Sequence, residues 1–224
     1  MTVISPVLGD ADALRALLRQ LPTTPDLDIV VVDGGAEPQI EALVGSHGRA
    51  TLRRSSPGRA RQMNAGAAGA TSEWLLFLHA DSTLPPGWLA AIMSLGDDAA
   101  GGWFRFALED PAWQARVIER LVAWRVRHLR LPYGDQGLLV RRRIFEQLGG
   151  YRDMPLMEDV EFVRRLVRAG PMVELPLSLG TSARRWRRDG WWRRSLKNLT
   201  ILALYHVGVS PARLALWYQG PPRA

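Results

Sequence analysis

The chain has 224 residues, 47% of them hydrophobic, enough for one sizeable globular core. It has no cysteine, which excludes disulfides and thiolate metal sites and leaves any metal to oxygen or imidazole ligands. The formal net charge of +7 invites a nucleic-acid reading, but much of the excess sits in one patch, Arg184, Arg185, Arg187, Arg188, Arg193, Arg194 and Lys197.

Residues 2–7 form a short β-rich opening, and 10–21 carry apolar residues at helical spacing: Ala13, Leu14, Leu17, Leu18 and Leu21. Asp10, Asp12 and Arg15 interrupt this opening early, so no secretory leader is expected and the cytoplasm is the expected compartment. Residues 27–32 form a β-branched strand that ends in Asp33-Gly34-Gly35, where the glycines permit close backbone approach just after a carboxylate. A third strand is expected over 50–53. After Pro57, a small-residue helix over 58–70 carries Arg59, Arg61, Gln62 and Asn64.

The run Trp74 to Leu78 is uniformly apolar and ends abruptly in His79-Ala80-Asp81. It reads as a strand covered on both faces, and Pro85-Pro86 denies it the length of a helix. In open α/β sheets, ligands gather beyond the carboxyl ends of the strands, which is where His79 and Asp81 would emerge. A cap on the following turn is the plain alternative for Asp81.

A helix over 85–95 and a strand over 101–108 extend the alternation, which predicts an α/β fold with a mostly parallel sheet flanked by helices. Residues 111–131 form an amphipathic helix with an apolar face of Trp113, Val117, Ile118, Leu121, Val122, Trp124 and Leu129. Pro132-Tyr133-Gly134-Asp135-Gln136 interrupts the pattern. A short strand over 137–140, a short helix over 141–148 and a helix opening at Glu158-Asp159 follow. Two acids at a helix start commonly do no more than complement its dipole.

The last third combines the basic patch with Trp186, Trp191 and Trp192, then an apolar helical stretch too short to span a bilayer, and a further helix from Pro211. Such a segment suits an anionic membrane surface or packing on the domain. Without a nucleic-acid fold motif, no nucleic acid is expected as a partner.

The order and spacing of these pieces resemble the family 2 glycosyltransferases, inverting nucleotide-sugar enzymes of the GT-A fold, over nearly the whole chain. Ile29-Val30-Val31-Val32-Asp33-Gly34-Gly35 is similar to the family's strand and acidic turn. Arg59-Ala60-Arg61-Gln62-Met63-Asn64-Ala65-Gly66 is similar to its Asn-x-Gly helix, and His79-Ala80-Asp81 to its Asp-x-Asp metal motif. Glu158-Asp159 matches its Glu-Asp pair, and Ser182 to Trp186 its Gln-x-x-Arg-Trp motif. The wording of 77–81, 132–136, 155–159 and 182–186 further resembles a small bacterial subgroup labelled arsenosugar-biosynthesis or selenium-domain-associated glycosyltransferases. Two positions depart from the pattern: His79 replaces the first motif aspartate, and Ser182 replaces the glutamine.

The resemblance implies a nucleoside-diphosphate-sugar donor, UDP-linked by the family's habit, and transfer to an acceptor that the sequence does not identify. Asp159 would be the general base, with Glu158 beside it. Pro6, Asp33, Arg59, Asn64 and Ala80 would bind the nucleotide, and Asp81 would hold Mg²⁺ or Mn²⁺. Gly134, Asp135, Gln136, Arg185 and Trp186 would line the acceptor side. It also implies a glycosyltransferase domain over 1–189, with a nucleotide-sugar half over 1–110 and an acceptor half over 111–189, then a helical segment over 190–224 packed on the domain or at a membrane. The weighed alternatives are a nucleotide-sugar-binding homologue without transfer activity and a basic nucleic-acid-binding protein.

Overall fold

The structure, a computed structural model, describes residues 1–219; residues 220–224 of the expected C-terminal segment lie outside the described residues. From the N-terminus, β1 (Thr2–Val7), α1 (Ala11–Leu18), β2 (Asp28–Asp33), α2 (Pro38–Ser46), β3 (Ala50–Arg54), α3 (Arg59–Ala67) and β4 (Trp74–Phe77) alternate. A two-residue β5 (Ser82–Thr83), α4 (Trp88–Met93), β6 (Gly101–Leu108) and α5 (Trp113–Leu129) follow. A 3-10 turn (Gly134–Gln136) leads into β7 (Leu138–Arg141) and α6 (Arg142–Gln147). The chain continues through α7 (Glu158–Ala169), β8 (Met172–Thr181), α8 (Arg184–Asp189), α9 (Trp191–His206) and α10 (Pro211–Gln219).

The strands join in one sheet of order β3-β2-β1-β4-β7-β6-β8-β5. β3, β2, β1 and β4 are parallel, as the alternation predicts, and β6 pairs in parallel with β8. Between these two blocks β7 runs antiparallel to both β4 and β6, so the sheet is mixed. That inversion decides where the site forms. An antiparallel β7 starts at the edge where β1, β2 and β4 finish, so the turn Gly134–Gln136 before it meets the tips after those strands. β8 ends at Thr181 opposite Leu108, which brings Ser182 to Trp186 round to the same edge.

β4 is buried along its whole length, and its side chains alternate between two cores. Trp74, Leu76 and Leu78 pack with Leu14, Leu17, Ile92 and Phe104 on one face. Leu75 and Phe77 pack with Ile4, Met63, Phe145 and Phe162 on the other. The small residues of α3 let it lie directly on β1: a Cβ at Gly66 would overlap the Ile4 side chain.

β5 and α8 have no counterpart among the expected elements, and neither do two longer ones, α2 and β8. α2 begins with Pro38 at its first turn, a helix-start signal that its Gly- and Ser-bearing C-terminal end obscures. β8 contains Pro176, which argues against a strand interior. The ladder accommodates it by a register shift, Phe104 facing Leu175 while Arg105 faces Ser178. The expected apolar face of α5 is corrected as well: Ala115, Ile118 and Val126 are the buried positions, while Trp113, Leu121, Trp124 and Leu129 are exposed. Among the described residues, no helix is long and apolar enough to cross a membrane.

Candidate active site

The C-terminal edge of the sheet carries two adjoining hollows. The larger, about 690 Å³, is walled by Pro6 near the end of β1, Arg59 and Gln62 of α3, and the His79-Ala80-Asp81 tip that follows β4. The smaller, about 140 Å³, gathers Asp81, Asp135, Glu158, Asp159, Arg185 and Trp186. Arg59, His79, Asp81, Glu158, Arg185 and Tyr218 line both, so the hollows share a polar boundary.

The Glu-Asp pair owes its position to backbone strain. Met157, just before α7, adopts a left-handed conformation at φ 67°, uncommon for a residue with a side chain, and turns the chain so that Glu158 and Asp159 open the helix into the cavity. Glu158 is nearly buried and faces the half-exposed Arg59 at 3.5 Å. Asp159 accepts a 3.0 Å hydrogen bond from the Gly134 N–H and a 2.8 Å bond from the Val160 N–H. Gly134 is closely packed: a Cβ there would lie 3.0 Å from His79 Nε2, tight enough to displace the ring by a few tenths of an ångström, and 3.4 Å from Asp159 Oδ2.

Charges compressed into one hollow shift one another. Burial and the adjacent Asp159 raise the Glu158 carboxyl pKa against the pull of Arg59. Desolvation of the cavity-facing part of Arg59 lowers its pKa, but Glu158 and Asp159 outweigh it and raise the guanidinium overall. His79 is pushed down to about 3, by burial first and Arg59 next, so its ring is neutral at pH 7 and keeps a lone pair to offer. Asp135 is pushed up to about 6, chiefly by burial, with Arg125 opposing and Asp159 reinforcing. Its Oδ1 is buried without a hydrogen-bond partner. Perturbed groups concentrated in a hollow mark a functional site more often than a structural one.

The structure thus brings together Arg59, Ala80, Asp81, Asp135, Glu158, Asp159, Arg185 and Trp186, with Pro6 on the outer rim. Gly134 sits behind Asp159 as its backbone donor. Three expected residues are engaged elsewhere. Asp33 is almost wholly buried, and its oxygens accept the Gly35 and Glu37 amides at 2.7 and 2.8 Å, fixing the turn into α2. Asn64 clamps the Tyr151 backbone, donating to its carbonyl at 2.7 Å and accepting from its N–H at 2.9 Å. Gln136 is buried beneath the turn, bonded to the Phe104 carbonyl and the Tyr133 N–H. Trp186 touches the cavity, yet it also donates to Ser195 Oγ at 3.2 Å and packs near Phe106.

Two other residues shape the site without having been expected to line it. Gln62 donates to the Val7 and Val32 carbonyls at 2.7 and 2.8 Å, pinning the ends of β1 and β2 together behind the cleft. Tyr218 reaches back from α10 to line both hollows, with its hydroxyl on Arg194 and its carbonyl accepting from Lys197 at 2.9 Å. Only tertiary docking of the last helix reveals it.

Among the described residues, no group of three histidine, aspartate or glutamate side chains converges as an all-protein metal cage. A hard divalent cation needs none here, because such ions keep waters and phosphate oxygens and take only one or two carboxylates from the protein. Asp81, at the boundary of the hollows beside a neutral His79, fits that role.

The model for the glycosyl transferase family 2 matches residues 10–148, more than half of the chain. This chain belongs to that family, and it is a transferase with a GT-A-like mixed α/β fold. Two strains of Mycobacterium tuberculosis supply curated relatives named pre-mycofactocin glycosyltransferase, 26% identical over 213 residues. That alignment covers 87% of this chain and 45% of the relative, so the chain spans about half the relative's length. Among solved structures, a mannosyltransferase from Pyrobaculum calidifontis in complex with GDP-Man and Mn²⁺ superposes with a TM-score of 0.67 at 17% identity, covering 94% of this chain and 65% of that one. S. aureus TarS in complex with UDP-GlcNAc gives 0.61 at 13% identity, covering 81% and 58%. At these identities the likeness is one of fold.

Proposed function

We propose that this chain transfers a sugar from a nucleoside-diphosphate sugar, UDP-linked by first preference, to an acceptor hydroxyl with inversion at the anomeric carbon. The observation that carries the reading is the shared boundary of the two hollows. Asp81 and Arg59 face both the roomy cleft and the small cavity that holds Asp159, so a donor diphosphate in the first would end within reach of a base in the second. The cleft's 690 Å³ lies within the roughly 300–1,000 Å³ of ordinary ligand sites.

In this mechanism Arg59 and Arg185 meet the diphosphate charge, and Asp81 holds the divalent cation. When bound, Mg²⁺ or Mn²⁺ supplies Lewis-acid neutralisation of the departing phosphate. Asp159, fixed by the Gly134 N–H, takes the proton as the acceptor oxygen bonds to the anomeric carbon. The bond to the diphosphate breaks with its electron pair leaving on phosphate oxygen. A single in-line displacement of this kind inverts the centre. Glu158 holds Arg59 toward the donor, and Asp135 meets the acceptor from the far wall. Pro6 and Ala80 form the nucleotide rim. Asp33, Asn64 and Gln136 act one step back, by fixing the backbone that carries those walls.

The test is calorimetric titration of wild type and Asp81→Ala with UDP and GDP, each with and without Mn²⁺. The reading expects metal-dependent binding that Asp81→Ala removes. Equal affinity in both proteins would take Asp81 out of the site.

A further inference from the structure

α5 and α9 lie side by side and meet at Trp113 and Trp192, whose rings are 5.8 Å apart. Each helix turns an apolar stripe away from the core. On α5 it runs through Trp113, Leu121 and Trp124, which are 63%, 53% and 57% exposed. On α9 it runs through Trp192, Leu196 and Leu199, at 50%, 65% and 55%. The spacings follow the three- and four-residue steps of one helix face. Trp217 of α10, also exposed, shares a neighbouring hollow with Leu196 and Lys197. Single exposed apolar residues are ordinary, but a run of them over two touching helices marks an interaction surface.

The charge around the stripes selects the partner. α9 exposes Arg193, half-exposes Lys197 and carries no acid, its Arg194 being buried against Asp189, and α5 exposes Arg120 and Arg127. Its one acid, Glu119, is largely covered and paired with Arg116 at 2.8 Å. A second copy of this chain would set these cations against themselves. Nucleic acid would match the charge but leave the leucines without a partner. An anionic bilayer satisfies both, since tryptophan settles at the headgroup level, leucine enters the acyl boundary, and arginine and lysine meet the lipid phosphates.

We propose that the joint outer face of α5 and α9 docks in the plane of an anionic lipid surface. The mode is interfacial, because no described helix is able to cross. The inference is independent of the transferase reading, although the reverse side of α9 contributes Asn198, Ile201 and Leu202 to the small cavity. A docked molecule would therefore hold that cavity about one helix diameter, ~10–12 Å, from the lipid.

The experiment is vesicle flotation of the full chain with phosphatidylcholine alone and with phosphatidylcholine mixed with phosphatidylglycerol, at low and high salt. The variants are Leu121→Ser/Trp124→Ser on α5 and Leu196→Ser/Leu199→Ser on α9, with unchanged thermal melts confirming folding. The expected result is flotation with the anionic vesicles only, weakened by salt, and reduced about tenfold or more by either pair. Loss with the α9 pair alone would remove α5 from the surface and overturn the proposal. So would flotation indifferent to lipid charge, no flotation at all, or a concentration-dependent dimer in sedimentation that either pair abolishes.

Discussion

Gly134 and Asp159 lie 25 residues apart in sequence and are joined by a 3.0 Å hydrogen bond from the glycine N–H to the carboxylate Oδ2. The bond links the turn before β7 to the first turn of α7, so the antiparallel entry of β7 is what holds the candidate base in place. His79 packs against the same glycine from the β4 side. A methyl group on Gly134 therefore crowds the His79 ring by a few tenths of an ångström and abuts the Asp159 carboxylate. Gly134→Ala is expected to lower transfer about 10–100-fold, as small misplacements at a reacting centre do. Its stability should fall by only about 1–3 kcal/mol, the range for modest overpacking. Comparing turnover with the thermal midpoint checks both.

Asp135 carries a pH signature. Burial pushes its carboxyl from the ordinary 3.8 up to about 6. The native state thus binds this proton more tightly than the unfolded chain does. The corresponding stability is fully present below the unfolded pKa and is lost as pH rises through about 6. Asp135→Asn removes the ionisation and keeps the shape, so it should match wild type near pH 4 and exceed it at pH 8, by about 1–2 kcal/mol after allowance for partial exposure. Thermal unfolding at the two pH values measures the difference, and a variant less stable than wild type at pH 8 would contradict the burial of a charged Asp135.

Tyr218 is expected to roof the donor. With α10 in place the cleft still measures about 690 Å³, so the helix covers the donor space without filling it. Tyr218→Ala should weaken UDP binding about tenfold, the scale of one lost aromatic contact, while Tyr218→Phe keeps the ring and binds nearly as wild type. Equal affinity of all three proteins in calorimetry would leave Tyr218 a purely structural anchor for Arg194.

Much of the site was legible because local rules place it. The apolar run of β4 ends in a polar tip, α3 begins after a proline and glycine, and two acids open α7; each is a short-range pattern with a physical cause. The rest depended on long-range pairing. Nothing local told β7 to run antiparallel, and Pro176 spoke against β8 until a register shift made room for it. The side-chain amides of Asn64 and Gln136 look the same in sequence whether they face a ligand or a backbone. Here both are engaged by backbone groups. α5 shows the limit of periodicity: the repeat of its apolar residues was readable, but which of them the protein covers was not, and four of the expected face are exposed.

Asp159→Asn separates a base that takes the acceptor proton from a carboxylate that merely opens α7. Asparagine keeps the size and an oxygen for the Gly134 N–H, but it cannot take up a proton at neutral pH. Single-turnover transfer, measured beside calorimetric donor binding, should show UDP and Mn²⁺ affinity within about threefold of wild type and transfer reduced about 10²–10⁴-fold, the usual contribution of a positioned base. Near-wild-type transfer by Asp159→Asn would contradict the account and leave the residue as a helix-opening carboxylate only.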